Sequence, residues 1–407
     1  MTSTVGPRRR PRWRDLRPML PPVPTLPTTS TRLAQAADIG DLRLLARRRA
    51  PRMVFDYVDG GAEGERSLRA SVEAFDRVTF RPRVLRDVGT VSTSTDVLGR
   101  SIALPLVLGP TGFTRMMHRE GESAVARAAE AAGIPYTLST MGTTTATDVA
   151  AAAPQGWNWF QLYVVRDRGR SRDSLQLARD AGMDVLVLTV DVPVAGARLR
   201  DVRHGMTMPP SLRWRSALQA VGRPAWWADF LTSEPLAFAT VGGAPGDLAG
   251  IVNTMFDPGV TLADIEWIRS AWGGKLLVKG VQDVVDAQSL AGIGVDGLVV
   301  SNHGGRQLDR APAPLDLLPH VRGAVGEEMA VFLDGGVRSG ADIAAAVGLG
   351  ATAAFLGRGY LYGLMAGGEA GVRRALTILR TEYERTMQLL GVTRTGELTD
   401  ARVSLRP

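Results

Sequence analysis

Short runs of apolar residues recur along the chain, and most of them end in Gly, Thr, Ser, Asp or Asn before an Ala-rich segment with helical spacing. The runs are apolar at consecutive positions, which is typical of parallel strands buried on both faces. Such strands in alternation with helices predict an α/β protein whose strands close into a (β/α)8 TIM barrel. The eight predicted strands are Leu104–Gly109, Tyr136–Thr140, Trp157–Tyr163, Val185–Asp191, Lys275–Gly280, Gly297–Asn302, Ala330–Gly336 and Ala353–Gly357.

Helical segments lie between these strands and ahead of them. A helical lead-in is predicted from about Ile39 to Ala74, and the long stretch of about 203–261 after the fourth strand is predicted to be an insertion on the loop face. We therefore divide the chain into a basic, proline-rich arm over 1–38 and a barrel over 39–407. The helices predicted between strands are Gly121–Ala132, Asp173–Ala181, Leu262–Trp272, Val284–Leu290 and Gly340–Gly348.

The arm contains a strongly basic run, Arg8–Arg14, which prolines follow up to about Thr31. It lacks the apolar stretch of a secretory signal, and nowhere do about 18 consecutive apolar residues predict a spanning helix. We expect a cytoplasmic protein, free or peripheral at the inner face of the cell membrane. A solvated or subunit-crossing tail and a contact with anionic lipid both fit the arm. The net charge of +7 comes with no recognisable nucleic-acid module, so no nucleic-acid partner is expected.

Polar residues gather where the predicted strands end. In (β/α)8 barrels the active site lies at the carboxyl ends of the strands, so these residues are the candidates for chemistry. They are Thr111, Ser139, Gln161, Tyr163, Thr189, Asp191, Lys279, Ser301, His303, Asp334, Arg338 and Arg358.

The run Ser301–Asp309 places His303 on a glycine turn at the end of the sixth strand. Imidazole titrates near neutral pH, so His303 is the natural general base. Asp191, at the end of the fourth strand, is a candidate to orient it, although a cap of the turn before Pro193 is the alternative. A base close to an anion-binding arginine indicates oxidation of an anionic substrate.

Two arginines are the best candidates for binding a substrate carboxylate, because guanidinium presents paired donors that match it. They are Arg306, three residues after the candidate base, and Arg198. Arg200, Arg203 and Arg310 are nearby competitors for which a surface position is also open.

Lys279 ends an otherwise apolar strand, so an anionic cofactor or an acidic side chain must face it, and a structural salt bridge is the alternative. Phosphate has two candidate sites, Asp334–Arg338 and Gly357–Arg358, where glycine frees backbone amides near a helix start. The chain has no Cys, which excludes a disulfide or thiolate-bound iron as redox agent. Side chains alone do not accept an electron pair from carbon, so an organic cofactor is required, and we predict no metal site.

The motifs resemble the FMN-dependent L-2-hydroxy acid dehydrogenase and oxidase family over about residues 39–391. The closest likeness is to actinobacterial FMN-dependent L-lactate dehydrogenases, through Pro193–Asp201 and Tyr360–Glu369. The motifs that carry the family resemblance are Phe55–Ala62, Pro110–Gly112, Phe160–Tyr163, Leu188–Asp191, Val278–Gly280 and Ser301–Asp309.

The resemblance implies FMN as cofactor and oxidation of a small L-2-hydroxy acid, most readily L-lactate to pyruvate. It makes His303 the base, Asp191 its partner, and Arg198 with Arg306 the carboxylate clamp, while Tyr57 and Tyr163 bond the substrate. Lys279 would lie by the flavin N1 and O2 edge. The other implied FMN contacts are Pro110, Thr111, Gly112, Ser139, Gln161 and Thr189 at the isoalloxazine ring, and Ser301, Asp334, Gly335, Gly336, Arg338, Gly357 and Arg358 at the ribityl chain and phosphate.

Two positions differ from many relatives: Met141 stands where some carry Trp, and Gly112 where many carry Ala, which predicts extra room near the flavin. The electron acceptor is expected to be a quinone or a cytochrome, and the alternative is an L-2-hydroxy acid oxidase that uses oxygen and acts on lactate, glycolate or a longer acid. In the insertion, Leu212–Arg215 and Pro224–Trp227 suit either a lipid interface or a loop folded over the barrel or packed between subunits. A homotetramer is implied by the resemblance alone.

Overall fold

Eight parallel strands form a closed barrel in the computed structural model of this chain, which describes residues 28–204, 222–233, 236, 239 and 256–406. The strands follow one another around the barrel in chain order, β4 to β11, and the pair β11 and β4 closes it. Two antiparallel pairs, β1 with β12 and β2 with β3, lie outside it. The strands are β1 Val78–Phe80, β2 Thr95–Val97, β3 Arg100–Ile102, β4 Leu106–Leu108, β5 Tyr136–Ser139, β6 Asn158–Tyr163, β7 Val185–Thr189, β8 Lys275–Val281, β9 Gly297–Ser301, β10 Ala330–Asp334, β11 Ala353–Leu356 and β12 Val403–Leu405.

The predicted (β/α)8 architecture is confirmed, with helices between the barrel strands. The helical lead-in consists of separate helices because Pro51 and a turn over 60–65 interrupt it. The helices are α1 Thr29–Gln35, α2 Ile39–Arg49, α3 Arg52–Asp59, α4 Arg66–Glu73, α5 Thr114–Met117, α6 Gly121–Ala132, α7 Ala146–Ala152, α8 Arg168–Asp180, α9 Leu199–His204, α10 Pro224–Leu231, α11 Leu262–Ala271, α12 Val284–Gly292, α13 Pro314–Val325, α14 Gly340–Gly348 and α15 Arg358–Leu390.

Two helices differ from the expectation, one in where it starts and one in being present at all. Helix α8 starts at Arg168, before the predicted Asp173, because the Asp167 side chain accepts a hydrogen bond from the Gly169 amide at 2.9 Å and caps it. Helix α1 lies within the range assigned to the arm, and its Leu33 is buried. The basic run Arg8–Arg14 lies outside the described residues.

The barrel interior changes from apolar to polar along the strand direction. Side chains alternate along a strand, so Trp159, Gln161 and Tyr163 of β6 share the inner face. At the amino end, the Phe332 ring lies 6.1 Å from the Trp159 ring and 5.5 Å from the Phe355 ring, centroid to centroid. The β2–β3 hairpin packs on this cluster. Apolar side chains therefore fill the amino end of the barrel, and polar side chains surround its carboxyl end.

The described part of the insertion packs on the barrel through α10. Trp226 is buried, stacks on Phe230 with ring centroids 4.8 Å apart, and donates from Nε1 to the Met116 carbonyl at 2.9 Å. Trp226 therefore faces the barrel and does not contribute to a lipid interface. The Leu212–Arg215 segment lies outside the described residues. Among the helices described, none is both long and apolar enough to span a membrane.

Candidate active site

A cavity opens at the carboxyl ends of the barrel strands and encloses about 1150 Å³, including its mouth. Three predicted residues, Asp191, Gln161 and Ser301, lie behind its wall, hydrogen-bonded to His303, Ser139 and Lys279 respectively. The predicted residues that line the cavity are Tyr57, Pro110, Thr111, Gly112, Ser139, Tyr163, Thr189, Arg198, Lys279, His303, Arg306, Asp334, Gly335, Gly336, Arg338, Gly357 and Arg358.

His303 projects from a turn in which it, Gly304 and Gly305 all have positive φ angles, of 57°, 62° and 71°. A positive φ is uncommon for a residue with a Cβ. Asn302 stabilises the turn, because its side-chain oxygen accepts a hydrogen bond from the Gly305 amide at 3.0 Å. Nδ1 of His303 lies 2.9 Å from Oδ1 of Asp191. With Nδ1 bonded to this carboxylate, Nε2 is the nitrogen left for a ligand in the cavity.

Asp191 approaches His303 because residue 280 is glycine. A Cβ at Gly280, where φ is +108°, would lie 2.6 Å from the Cβ of Asp191. The Asp191 side chain is almost fully buried, and its Oδ2 has no hydrogen-bond partner within the described residues. This carboxylate thus has the neighbouring imidazole as its polar contact and can fix the orientation of the ring.

Two guanidinium groups lie over the ring of Tyr57, Arg306 at 4.9 Å and Arg198 at 5.7 Å from the ring centroid. Arg306 also donates to the Tyr57 carbonyl at 2.5 Å, and no carboxylate in the described part of the chain forms an ion pair with it. Burial, followed by the charge of Arg198, lowers the pKa of Arg306 to about 10. Two adjacent cations of which one lacks a counter-charge favour an anionic ligand.

The competing arginines are placed differently. Arg203 and Arg310 are exposed, and Arg200 forms ion pairs with Asp59 and Glu65. None of these three lines the cavity.

Lys279 is buried, with Nζ 2.7 Å from Oδ2 of Asp334 and 2.9 Å from Oγ of Ser301. Burial by itself would lower the pKa of Lys279, but the carboxylates of Asp334 and Asp191 raise it above its ordinary value. Conversely, burial would raise the pKa of Asp334, and the Lys279 charge lowers it. The ammonium therefore has the acidic partner that the sequence required and also faces the cavity as a charged donor.

Polar atoms without partners lie in one wall of the cavity and directly behind it. Gln161 accepts hydrogen bonds from Ser139 Oγ at 2.9 Å and from the Thr140 amide at 3.2 Å, which leaves its Nε2 buried and unpaired among the described residues. Oγ1 of Thr189 is likewise buried and unpaired there. Buried polar atoms are rarely left unsatisfied. An amide donor, a hydroxyl and the Lys279 ammonium fit the oxygen- and nitrogen-rich edge of a flavin.

The glycine turn after β10 brings backbone to another part of the cavity wall. Gly335 and Gly336 have φ of +119° and +87°, and a Cβ at Gly336 would lie 2.0 Å from the Ser71 carbonyl oxygen. Arg358 begins α15 and donates to three backbone carbonyls, those of Val58, Gly304 and Gly60, at 2.7–2.9 Å. This side fits a phosphate that is bound by backbone groups and helix starts near buried cations.

The expectation of extra room at Gly112 was wrong. A Cβ at Gly112 would lie 2.7 Å from the Cβ of Met141 and 3.2 Å from its carbonyl oxygen. Because residue 112 has no side chain, Met141 packs closely against it and occupies the space that a Cβ would take.

Sequence reasoning missed two cavity residues with evident roles. Phe256, at the end of the insertion, packs edge-to-face with Tyr163, with ring centroids 6.0 Å apart. No pattern in the insertion indicated this residue. Gln307 accepts a hydrogen bond from the Gly196 amide at 3.1 Å and donates to the Val194 carbonyl at 2.8 Å. In the sequence, Gln307 could have been identified because it directly follows Arg306.

The chain matches the family described as FMN-dependent dehydrogenase over residues 46–405. It is 54% identical over 398 residues to a Mycobacterium tuberculosis protein named "Putative L-lactate dehydrogenase", with 98% of this chain and 96% of the relative covered. It is 45% identical over 359 residues to the L-lactate dehydrogenase of Caulobacter vibrioides, with 86% of this chain and 93% of the relative covered.

Two solved structures share the fold of this chain. The monotopic membrane protein (S)-mandelate dehydrogenase superposes with a TM-score of 0.88 at 36% identity, covering 91% of this chain and 100% of that one. A mandelate oxidase superposes with a TM-score of 0.79 at 36% identity, covering 91% of this chain and 99% of that one.

Proposed function

The chain belongs to the FMN-dependent dehydrogenase family, and from that premise we propose that it oxidises L-lactate to pyruvate with FMN as its cofactor. The observation that carries the proposal is the convergence of the His303–Asp191 pair and the two arginines around Tyr57 on one cavity. A base beside a carboxylate-binding pair matches a 2-hydroxy acid. Relatives named L-lactate dehydrogenase favour lactate among these acids.

Arg198 and Arg306 bind the substrate carboxylate in this mechanism, and the hydroxyl groups of Tyr57 and Tyr163 bond its oxygen atoms. Burial, followed by the nearby Asp191 and Tyr57, raises the pKa of Tyr163. Tyr163 therefore keeps its proton at neutral pH and is available as a donor. Fixing the carboxylate at one end and the hydroxyl at the other orients the reacting carbon.

His303 takes the proton at Nε2 while Asp191 accepts the hydrogen bond from Nδ1 and stabilises the imidazolium that forms. FMN, when bound, supplies the two-electron acceptor that side chains lack. Gln161, Thr189 and Lys279 would hold the polar edge of its ring system. Their buried and unpaired or charged atoms support this assignment.

The remaining cofactor contacts are proposed from their positions in the cavity wall, except Ser301, which lies behind the wall and is hydrogen-bonded to Lys279. Pro110, Thr111, Gly112 and Ser139 would adjoin the ring. Thr111 is itself fixed by Tyr360, whose hydroxyl lies 2.5 Å from Thr111 Oγ1. The ribityl chain and phosphate would be held by Ser301, Asp334, Gly335, Gly336, Arg338, Gly357 and Arg358.

The first test is to mix the protein with L-lactate without oxygen and to follow the visible absorption of FMN. Rapid bleaching with L-lactate, and none with D-lactate, is expected. An unchanged spectrum with L-lactate, together with bleaching by (S)-mandelate, would replace lactate by a larger acid. No bleaching by any 2-hydroxy acid would refute the proposed function.

We also propose that a quinone or cytochrome takes the electrons, and that the protein is cytoplasmic at the inner face of the membrane, as a homotetramer. The likeness to a monotopic membrane dehydrogenase supports this choice of place. Lactate-reduced protein should regain its FMN absorption faster with a short-chain quinone than with air. Faster recovery in air would instead identify an oxidase. Sedimentation would give the mass of the assembly.

A further inference from the structure

Arg200 connects the helix that carries Tyr57 to the segment that carries Arg198. Its Nη1 lies 3.0 Å from Oδ2 of Asp59 and 3.4 Å from Oδ1 of Asp56, and its Nη2 bonds Glu65. Asp56 and Asp59 are on α3 and flank Tyr57, whereas Arg200 is on α9, two residues after Arg198. The ion pairs therefore join the backbone next to Arg198 to the helix that carries Tyr57.

The carboxylate at the centre of this connection is itself fixed. The Asp59 side chain is 4% exposed and accepts hydrogen bonds from Arg43 and from the Tyr362 hydroxyl, the latter at 2.9 Å. Burial would raise the pKa of Asp59, but the hydrogen bonds from Arg43 and Tyr362 lower it to about 2. Asp59 is thus a charged, immobile anchor for Arg200 at neutral pH.

Arg198 has weaker contacts of its own. Its ion pair with Asp201 has an N–O distance of 3.9 Å, at the limit of such an interaction. The backbone just before Arg198 is held by a main-chain hydrogen bond, because the Ala197 carbonyl accepts from the Glu63 amide at 2.7 Å. Arg200, two residues after Arg198, forms ion pairs that fix the backbone on the carboxyl-terminal side of Arg198. Close packing of the Arg200 side chain on Gly60, where a Cβ would lie 3.3 Å from Cδ, adds to this constraint.

We propose that Arg200 is a positioning residue, which holds the Arg198 guanidinium over Tyr57 so that the substrate carboxylate meets a preformed two-arginine clamp. The inference rests on the proposed function, because it assigns the cavity to a carboxylate. Preorganised donors bind an anion more tightly than donors that must be ordered on binding. Loss of Arg200 should therefore weaken carboxylate binding and spare the chemical step.

The test compares FMN-loaded wild type with Arg200→Met, Arg200→Lys and Arg52→Met. Arg52 is the matched control, because it pairs with the same Asp56 at 3.3 Å but is 71% exposed and forms this pair within its own helix. The dissociation constant of oxalate, a carboxylate that is not oxidised, is measured from the change in FMN absorption. KM and kcat are then measured with L-lactate, and FMN content checks that each variant is intact.

Arg200→Met should raise the oxalate dissociation constant and the lactate KM by about tenfold, with kcat within about threefold of wild type. Arg200→Lys should recover part of the loss, and Arg52→Met should match wild type. Equal effects of Arg200→Met and Arg52→Met, or a lower kcat with unchanged oxalate binding, would overturn the inference. Failure of the wild type to bind oxalate would overturn it as well.

Two further outcomes are decisive. If Arg200→Met does not retain FMN, Glu65→Gln replaces it, since the amide can still accept the 3.1 Å hydrogen bond from the Gly61 amide while one ion pair is lost. A twofold to threefold weaker oxalate affinity, roughly, is then expected, and no change refutes the proposal. If wild type binds oxalate but does not oxidise lactate, the proposed function fails, and the oxalate comparison still decides the role of Arg200.

Discussion

Replacing Lys279 by Met tests whether the ion pair beneath the cavity is as strong as its burial implies. The change removes the ammonium 2.7 Å from Oδ2 of Asp334 and leaves that carboxylate with the Ser301 hydroxyl, also at 2.7 Å, as its donor. Breaking a buried pair on one side costs about 3–5 kcal/mol, because the remaining charge is buried without compensation. We expect the free energy of unfolding to fall by that amount at pH 8.

Lys275→Met is the control on the same strand. Nζ of Lys275 lies 2.9 Å from Oδ1 of Asp296, but the lysine side chain is 49% exposed. Exposed ion pairs contribute at most about 1 kcal/mol, so this variant should lose little. Denaturant unfolding after removal of FMN measures both losses without the stabilisation that bound FMN adds.

The difference between Lys279→Met and wild type should also depend on pH. In wild type the pKa of Asp334 is lowered, so its contribution to stability is present above the unfolded-state pKa and is lost as the pH falls. Without Lys279, burial raises that pKa, and the cost to the variant then grows as the pH rises. The loss should thus be larger at pH 8 than at pH 5. A loss equal to that of Lys275→Met, or one that is independent of pH, would refute this reasoning.

Three further predictions concern the cavity. His303→Ala should keep FMN but slow its reduction by L-lactate at least about a hundredfold, and stopped-flow absorption showing a smaller loss would argue against a general base. The kcat/KM for lactate should decline above pH about 10, because Arg306 carries its charge below its pKa and loses it above; a flat profile to pH 11 or so would show that Arg306 keeps its charge and that burial does not lower its pKa this far. Gly112→Ala should lower the free energy of unfolding by about 1–3 kcal/mol, because its Cβ would overlap Met141, and an unaffected urea midpoint would show that the loop adapts freely.

Much of the fold was predictable because a parallel strand covered on both faces must be apolar at consecutive positions. The predicted Tyr136–Thr140 and Ala353–Gly357 differ from the observed strands by one residue at one end. The rule that barrel enzymes use the carboxyl ends of their strands then selected residues such as His303 and Lys279. Both line the cavity.

The sequence did not show which side chains of the site contact each other, because that depends on how the strands close into a barrel. Asp191 and His303 are separated by 112 positions, and the sequence offered Asp191 as a candidate partner of the imidazole with a turn cap before Pro193 as the alternative. Arg200 was equally compatible with the surface, whereas three carboxylates surround it. Trp226 suited a lipid interface by composition, yet it is buried against Met116.

The sequence by itself determined which segments are the eight barrel strands, in what order they run, and at which end of them the polar residues lie, since each of these follows from local burial and chain direction. The short strands outside the barrel, β1, β2, β3 and β12, were not predicted. Only the tertiary structure decided which charged side chains form ion pairs and how much space is left beside Gly112. Those contacts depend on the register of β7 against β8 and of β9 against β10, and on loops from separate strand ends that meet over the barrel. The hydrophobic pattern reports that a residue is buried, but the identity of its neighbour depends on the closure of the whole barrel.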